Sequence, residues 1–341
     1  MEQDWEAKAV KIDWQRMEKP SSKPHLILGL GELLWDILPD GPRLGGAPAN
    51  FAVMAGRLGN NVALLSRVGW DDLGTQALDR LELLPVDSSL VQIDSQHETG
   101  RVTVDFAEGE PQYTVHQPAA WDFLELTEEW VQIARRADAV CFGSLAQRSL
   151  ESRQTIQTLV RQTSPACVRV FDVNLRKPFY PSEVIRQSLE LATVVKMNEA
   201  EVPIVLGLLE MQFDRDLTGQ DPLVGDTLRL SAMRLLEEFP ALRLVAVTRG
   251  DQGSLLVTRN AWHEHAGIPT QVVDTVGAGD AFTAALTHYL LLGAELATLN
   301  KAGNRWGSWV ASQSGSMPDL PEAVHAAITS AIDRGRTCKG I

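Results

Sequence analysis

Short apolar runs alternating with amphipathic stretches are the feature that most constrains the fold of this chain. The runs show no polar alternation, which is typical of strands buried on both faces of a parallel sheet. They occupy residues 25–31, 62–66, 138–142, 167–172, 193–197 and 243–248. Helix-period stretches lie between most of them, at 48–58, 72–84, 127–136, 149–163, 182–190 and 226–238, and the pattern is helical from 279 onward. The alternation predicts a three-layer α/β fold, with a mostly parallel central sheet and helices on both faces.

Residues 88–117 break this alternation. Two short runs of alternating polar and apolar residues, 101–106 and 111–116, are joined by the turn-like sequence AEGE. This pattern predicts a β-hairpin inside an α/β chain. We expect the hairpin to form a small β lid that projects from the main sheet, together with residues of about 33–44.

The charge pattern divides the 341 residues into two parts. Residues 1–24 are charged throughout and end in a linker that contains proline and serine, so we interpret them as an N-terminal extension. Residues 25–338 are predicted to form one domain that carries the lid segments. Within that domain, the polar stretch 212–226 is predicted to be a long surface loop.

The composition argues against several classes of partner. A net charge of −13 without a run of Lys and Arg is unfavourable for binding nucleic acid or an anionic membrane. No apolar run reaches the roughly 20 residues that span a bilayer, and the charged start resembles neither a signal nor a transit peptide. Cys141, Cys167 and Cys338 form no paired motif, and the first two lie in predicted buried strands. We therefore expect a soluble, reduced, cytoplasmic protein.

Residues 271–293 carry the richest motif, in which a short strand leads through Gly277, Ala278 and Gly279 into a strongly apolar helix. Small residues let backbone N–H groups converge, and a helix N-terminus adds positive potential, so the turn suits an anion. Asp280 follows directly and is positioned to accept a proton from a hydroxyl group beside that anion. We expect a low pKa for this carboxylate, because it lies at a helix N-terminus. The alternative is a helix cap on a tight turn.

Two further segments offer groups for a polar ligand. Gly45 and Gly46 permit close backbone approach ahead of a helix that carries Asn50, a donor and an acceptor, and Asp36 is able to bind a polyol. Residues 171–176 end an apolar strand at the position where α/β sheets bind ligands, and their Arg176 is suited to phosphate. The alternatives are a loop with a helix cap in the first case and a surface ion pair in the second.

Two more polar segments follow strands. Asn198 and Glu201 lie just past one strand, where a carboxylate is able to hold Mg²⁺ through water, or merely to favour the first turn of a helix. Thr248, Gly250 and Gly253 belong to a glycine-rich turn between two strands, which suits either a nucleotide ribose or simple turn chemistry.

Other familiar motifs are missing. Gly29 and Gly31 are not followed by a third glycine, because position 34 is a leucine, so no dinucleotide fingerprint is present. The chain has no GxxxxGK[ST] loop and no GxSxG elbow, which excludes P-loop phosphate transfer and the usual α/β-hydrolase chemistry. We interpret His263-Glu264-His265 as an exposed strand edge rather than a metal site.

Taken in order, these segments resemble the PfkB (ribokinase-like) carbohydrate kinases, from about residue 26 to about residue 320. GGAPAN at 45–50 resembles the N-terminal signature of that family, and DTVGAGDAF at 274–282 resembles its highly specific C-terminal signature. Within the family the chain is most similar to fructokinases. That likeness rests on residues 31–52, 120–124, 141–149, 171–176 and 315–321.

The resemblance implies a ribokinase-like fold and a division of roles among the residues singled out above. Asp280 is implied as general base, Gly277, Ala278 and Gly279 as the anion hole, and Arg176 as an aid to the transferred phosphate. The implied sugar ligands are Asp36, Gly45, Gly46, Asn50 and Asn174. Asn198, Thr248, Gly250, Gly253 and Asn304 are implied for the nucleotide, Glu201 for Mg²⁺, and Asp274 for a monovalent cation such as K⁺. The lid is implied to close on the sugar and exclude water.

The resemblance also implies substrates and partners. It implies an ATP-dependent kinase that uses Mg²⁺, phosphorylates the primary hydroxyl of a hexose, and makes fructose 6-phosphate from fructose as a monomer or a homodimer through the lid. A 2-keto-3-deoxygluconate kinase, a ribose or nucleoside kinase, and a non-catalytic sugar-binding regulator are the alternatives. An acid substrate needs another cation, for which Arg101 is the candidate. Arg305, Trp306 and Trp309 replace small residues of the family, which predicts an altered adenine pocket.

Overall fold

The computed structural model describes residues 24–39, 41–107, 110–211 and 225–333. The predicted N-terminal extension and most of the predicted loop at 212–226 therefore lie outside the described residues, as does Cys338. The other two cysteines, Cys141 and Cys167, are free and buried, as the sequence predicts.

A sheet of eight strands forms the centre of the fold. In spatial order its strands are β14 (Trp262–His265), β13 (Ser254–Val257), β12 (Leu244–Thr248), β11 (Val194–Asn198), β10 (Val168–Asp172), β9 (Ala139–Gly143), β1 (Leu26–Leu30) and β4 (Asn61–Leu65). The six strands from β12 to β4 are parallel, and β13 and β14 add antiparallel pairings at one edge. All six predicted strands belong to the parallel part.

Helices cover both faces of this sheet. They are α1 (Ala47–Arg57), α2 (Asp72–Glu82), α3 (Glu128–Arg136), α4 (Leu150–Gln162), α5 (Ser182–Leu191), α6 (Glu201–Leu208), α7 (Gly225–Glu238), α8 (Ala278–Leu291), α9 (Leu296–Ala311) and α10 (Glu322–Asp333). Alternate residues of one strand enter opposite cores: Val140 and Phe142 pack with α3 to α7, whereas Cys141 packs with α1, α8 and α9. This arrangement confirms the three-layer prediction and explains why the strands are apolar without alternation.

The segments predicted to form the lid build a separate four-stranded sheet, which we call the lid sheet. Its order is β3 (Gly41–Gly45), β2 (Leu34–Leu38), β7 (Gly100–Ala107) and β8 (Glu110–Val115). β7 and β8 pair antiparallel, as the alternating pattern predicts. A third sheet has two strands, β5 (Arg67–Gly69) and β6 (Gln92–Asp94). In the sequence these strands come after β4 of the central sheet and before β7 of the lid sheet.

Two local features differ from the sequence patterns or refine them. Helix α6 lies in a stretch without amphipathic period, because its sequence EVPIVLGL is apolar almost all round. Strand β14 is the edge strand of the sheet, in agreement with the interpretation of residues 263–265, and His263 and His265 share its half-buried side. Among the described residues, no helix is long and apolar enough to cross a membrane.

Candidate active site

The carboxyl ends of the central parallel strands meet the start of helix α8 at one edge of the sheet. Asp172 ends β10 and Asn198 ends β11, while Glu32 follows β1. Helix α8 begins at Ala278 and packs against α1. The polar residues singled out in the sequence are thereby gathered at the edge where open α/β sheets bind ligands.

Asp280 and Asn50 form the centre of this edge. Asn50 Nδ2, on α1, donates a hydrogen bond of 2.7 Å to Asp280 Oδ2, in the first turn of α8. Both side chains are buried, although 230 residues separate them in the chain. The Oδ1 atom of Asn50 is buried and accepts no hydrogen bond from the described residues. A carboxylate and an unused acceptor therefore lie side by side.

The protonation of Asp280 differs from the sequence prediction. Burial raises its pKa from 3.8 to about 6, and the nearby carboxylate of Asp172 acts in the same direction. Lys196, the hydrogen bond from Asn50, and Arg176 oppose this rise without cancelling it. The expected low pKa is wrong, because loss of solvation outweighs the helix N-terminus. At neutral pH the group is still ionised, and as a base it is stronger than a solvated aspartate.

Glu32 is a second buried carboxyl group that the sequence reasoning did not select. Burial raises its pKa from 4.5 to about 7, whereas Arg176 lowers it and Asp280 raises it. Its Oε2 atom has no hydrogen-bond partner among the described residues. The sequence signal was available, since Glu32 is an acidic residue directly after a fully apolar strand.

The 277–279 turn has the geometry of an anion site. Gly277 adopts a left-handed φ of 79° and precedes the first residue of α8, so the free N–H groups of the helix start at this turn. A Cβ atom on Gly277 would lie 2.7 Å from Cα and Cβ of Ser316, so the turn also needs glycine for space. No side chain caps the helix. The N–H of Ala278 donates to the carbonyl oxygen of Thr275 at 3.2 Å, which leaves the N–H groups of Gly279 and Asp280 for a ligand.

A buried lysine lies behind this turn and was also missed. Lys196 on β11 forms an ion pair with Asp172, with 3.1 Å between Nζ and Oδ1. A Cβ atom on Gly279 would lie 2.9 Å from the same Nζ. The sequence held a signal here as well, because a single lysine inside the apolar run of a central strand requires a buried partner.

Asp36, Gly45 and Gly46, which the resemblance implies as sugar ligands, lie close together. A Cβ atom on Gly45 would lie 2.8 Å from Asp36 Oδ2, and one on Gly46 would overlap the carbonyl oxygen of Glu32. Gly46 also has a left-handed φ of 107°. Burial raises the pKa of Asp36, while Arg176 lowers it. Glycine at 45 lets β3 approach the carboxyl group of Asp36 closely, and glycine at 46 lets the chain after β3 approach the backbone of Glu32.

Asp274 binds an arginine of the lid sheet. Its Oδ2 atom accepts from Nη1 of Arg43 at 3.0 Å and from the backbone N of Gly315 at 3.1 Å. Its Oδ1 atom accepts from the backbone N of Val276 at 3.0 Å. A monovalent cation does not fit this arrangement well, because a guanidinium group already neutralises the carboxylate.

Glu201 is engaged with the backbone on both sides. Oε1 accepts from the N–H of Leu175 at 2.7 Å, and Oε2 accepts from the N–H of Asn198 at 2.8 Å. Asn198 Oδ1 in turn accepts from the N–H of Glu201. These bonds hold the loop that leads to Arg176 and leave Glu201 suited to a water-mediated contact with Mg²⁺. Among the described residues, no group of three or more His, Cys, Asp or Glu side chains forms a metal cage.

Two predicted substrate residues have distinct surroundings. Asn174 adopts a left-handed φ of 37°, which asparagine tolerates better than most residues. Arg101 forms an ion pair with Glu98, with 3.1 Å between Nη1 and Oε2, and its side chain is 39% exposed. Arg101 is thus engaged on β7 of the lid sheet. Arg176 is close enough to Asp280, Glu32 and Asp36 to lower the pKa of all three.

Apart from Asn198, the predicted nucleotide residues lie at the end of β12, in the turn that follows it, and on α9. A Cβ atom on Gly253, whose φ is 83°, would overlap the backbone of His265 and Gly267. Asn304 is buried and donates to Ser254 Oγ at 2.7 Å, which ties α9 to β13. The side chain of Thr248 donates weakly to Met197 O at 3.5 Å, and Gly250 has a left-handed φ of 57°.

The unusual aromatic residues of α9 are part of the core. Trp306 is fully buried and lies edge-on to Trp309, with 5.8 Å between ring centroids. It also contacts His325 on α10, at 5.6 Å between centroids. The bulk of Trp306 therefore packs α9 against α10.

The arrangement combines a buried base, an open helix N-terminus and a set of hydrogen-bond acceptors. Such a site is able to remove a proton from a hydroxyl group while backbone N–H groups stabilise negative charge on a group that is transferred to it.

Comparison with known proteins identifies relatives of the whole domain. The family model for "pfkB family carbohydrate kinase" matches residues 42–323. A fructokinase of Escherichia coli is 31% identical over 317 residues, which cover 86% of this chain and 95% of that protein.

Solved structures give the same picture. An uncharacterized sugar kinase from Pyrococcus horikoshii, crystallised in complex with ATP, is 28% identical with a TM-score of 0.71, covering 85% of this chain and 94% of its own. A double-mutant fructokinase from Vibrio cholerae O395, in a form with bound fructose, ADP and potassium ion, is 26% identical with a TM-score of 0.72. That match covers 91% of this chain and 99% of the other.

Proposed function

Since this chain belongs to the pfkB family of carbohydrate kinases, we propose that it transfers the γ-phosphoryl group of ATP to the primary hydroxyl of fructose. Asp280 carries the proposal, because its buried carboxylate lies in the first turn of α8 and is held by Asn50. Phosphoryl transfer depends mainly on positioning and on charge stabilisation. A base and an anion site that share one helix terminus provide both.

Asp280 accepts the proton of the primary hydroxyl as the oxygen attacks the phosphoryl group. The bond from the hydroxyl oxygen to phosphorus forms, the bond from phosphorus to the bridging oxygen of ADP breaks, and the proton ends on the carboxylate. N–H groups of the 277–279 turn stabilise the charge of the phosphoryl oxygens. Arg176 adds a positive charge on the same side, which its effect on the pKa of Asp280 reflects.

Sugar hydroxyls fit the acceptors around the base. Oδ1 of Asn50 and Oε2 of Glu32 are buried without a donor from the described residues, and Asp36 lies against Gly45. Unpaired buried acceptors are costly unless a ligand supplies donors. A polyol supplies several hydroxyl donors at once, so the chemistry of these groups favours a neutral sugar.

The pairing of Arg101 favours fructose over an acid sugar. A 2-keto-3-deoxy acid needs a cation beside its carboxylate, and the predicted candidate for this role is already bound to Glu98. The fructokinase of E. coli, at 31% identity, supports the same choice. The P. horikoshii structure with ATP supports that nucleotide as the donor.

Mg²⁺ would supply positive charge to the phosphates of the nucleotide. Asn198 and Glu201 are the residues of this chain that would hold its water shell. Asn198, Thr248, Gly250, Gly253 and Asn304 stay the proposed nucleotide residues, with Asn304 acting through the position of α9.

The proposal is tested by a substrate panel. ADP release is measured with ATP, Mg²⁺ and, in turn, fructose, glucose, ribose, 2-keto-3-deoxygluconate and a nucleoside, and ³¹P NMR locates the phosphate on the product. We expect fructose to give the highest kcat/KM and the phosphate to lie on its primary hydroxyl. Activity confined to another substrate overturns the fructose assignment, and sugar binding without any turnover favours the non-catalytic regulator.

The pH profile of the wild-type protein gives a first prediction. Asp280 must be ionised to accept a proton, and burial raises its pKa to about 6. We therefore expect kcat/KM for fructose to fall tenfold per pH unit below about 6 and to level off above it. The Glu32→Gln variant separates the contribution of the other buried carboxyl group. An acid limb near about 4, the value of a solvated aspartate, contradicts the burial of the base.

Potassium dependence gives a second prediction. Because Arg43 neutralises Asp274 at 3.0 Å, we expect wild-type turnover to change less than about twofold when K⁺ replaces a bulky organic cation. The Arg43→Gln variant exposes the carboxylate, so its turnover and its unfolding temperature are expected to rise with K⁺. Arg135→Gln, an exposed arginine on α3, is the control. Strong activation of the wild type by K⁺, or no K⁺ response in Arg43→Gln, contradicts this expectation.

A further inference from the structure

Lys196 is a buried charge that the mechanism above does not use. Its side chain is 9% exposed and lies in the central strand β11. Burial lowers the pKa of a lysine, but the carboxylates of Asp172 and Asp280 outweigh this effect and raise it. The ammonium group is therefore charged beneath the site. Since an isolated buried charge is costly, its position calls for an explanation.

Asp172 holds the lysine and is itself held by Thr283. Asp172 Oδ1 lies 3.1 Å from Nζ, and Asp172 Oδ2 accepts a hydrogen bond of 2.9 Å from Oγ1 of Thr283, one turn into α8. Both Asp172 and Thr283 are buried. This network joins the ends of β10 and β11 to the first turns of the helix that carries Asp280.

Nζ also lies directly under the turn proposed to hold the transferred phosphoryl group. A Cβ atom on Gly279 would be 2.9 Å from Nζ, so the ammonium group lies close to the backbone of Gly279 in the first turn of α8. A positive charge at this place adds to the potential of the helix N–H groups. A side chain at position 279 would crowd the ammonium group.

Resting on the proposed function, we propose that Lys196 is a positioning residue for phosphoryl transfer, acting from beneath the 277–279 turn. Its charge strengthens the anion site and keeps Asp280 ionised, while Asp172 holds the ammonium group in place and Thr283 holds Asp172. The lysine does not touch the sugar and is not itself a base. The positive charge of Lys196 and the negative charge of Asp172 together influence how readily Asp280 is protonated.

The two members of the pair act on Asp280 in opposite directions. Asp172 raises the pKa of Asp280 and Lys196 lowers it. The other groups that face Asp280 are Asn50, Arg176, Glu32 and Cys141. These four residues are unchanged in variants of Lys196 and Asp172. A shift in the acid limb of kcat/KM therefore reports the influence of the lysine–aspartate pair on Asp280.

The test compares the pH profiles of three variants with that of the wild type, using fructose, ATP and Mg²⁺. Lys196→Met is expected to move the acid limb of kcat/KM upward by about half a unit or more and to lower the plateau by about 10²-fold. Asp172→Asn is expected to move the limb downward. The double variant, which leaves no unpaired charge, is expected to return the limb close to the wild-type position while its plateau stays low.

A second readout does not depend on turnover. Inorganic phosphate is expected to raise the unfolding temperature of the wild type and of Asp172→Asn, and to do so much less for Lys196→Met and the double variant. Limbs that shift in the same direction in both single variants, or equal phosphate responses in all four proteins, overturn the proposal and leave Lys196 a structural residue. A wild type without sugar kinase activity contradicts the proposed function instead, and the phosphate response still decides the role of the lysine.

Discussion

Replacement of Asp280 by asparagine is expected to lower kcat for fructose by about three to four orders of magnitude, the upper range for loss of a general base. The substitution keeps the shape of the side chain, and its carbonyl oxygen is still able to accept the 2.7 Å hydrogen bond from Asn50 Nδ2. The site geometry is thus preserved while the proton acceptor is lost. KM for fructose and for ATP is expected to change little, because Asp280 is not needed to bind either ground state.

The same variant is expected to be more stable than the wild type above about pH 6. The folded protein holds the proton of Asp280 more tightly than the unfolded chain, because its pKa rises from 3.8 to about 6 on folding. The free energy of unfolding therefore falls as the pH rises through this window, by about 3 kcal/mol in total. Asparagine removes this loss, so the unfolding temperature at neutral pH is expected to rise by about a few degrees.

Asp72→Asn is the matched control for both effects. Asp72 also lies in the first turn of a helix, but its side chain is exposed, whereas that of Asp280 is buried. Its replacement is expected to leave turnover unchanged and to cost at most about 1 kcal/mol through loss of a favourable first-turn charge. Turnover of Asp280→Asn near the wild-type rate contradicts the role of Asp280. A lower unfolding temperature of this variant at neutral pH contradicts the destabilisation attributed to the buried charge of Asp280.

The layers of the fold could be predicted from the sequence, because the physical signal is local. Strands buried on both faces must be apolar throughout, and the run at 138–142 corresponds to β9 within one residue. Helix α6 was not predicted, because a helix of eight residues that is apolar almost all round has no amphipathic period in its sequence. The short strands β5 and β6 lie in polar sequence and pair only with each other, so nothing local marks them.

The site could be predicted only in part, because its partners are chosen by tertiary structure. Asp280 and Asn50 each lie in the first turn of a helix, directly after a glycine-containing motif that the sequence shows. The fold brings the two side chains together across 230 residues. Asp274 stands in an equally suggestive segment, yet the structure pairs it with Arg43 of the lid sheet, 231 residues away. The pair of Arg101 and Glu98, by contrast, joins residues only three apart in the chain. The partner of a charged residue such as Asp274 depends on how the lid sheet packs against the core. That arrangement has no local sequence signal.

Replacement of Gly277 by alanine is expected to lower kcat by about 10² to 10³-fold, comparable to the loss of an oxyanion donor. The new methyl group would lie 2.7 Å from Cα and Cβ of Ser316, and backbone there does not move as a side chain does. The start of α8 must shift away from residue 316. Both the N–H groups of the turn and Asp280 then move from the reacting atoms, and small displacements of such groups reduce rates strongly.

Gly293→Ala is the control that separates the displacement at Ser316 from the free-energy cost of placing alanine at a left-handed φ. Gly293 lies just past the other end of the same helix, with a similar left-handed φ of 69° and with no atom within 4 Å of a new Cβ. Both variants bear the cost of about 1 kcal/mol for alanine in the left-handed region, so both are expected to unfold at lower temperature. Only Gly277→Ala is expected to lose turnover, as measured by ADP release at saturating fructose. Equal activity losses in the two variants contradict a special role for the turn, because the displacement at Ser316 then has no catalytic consequence.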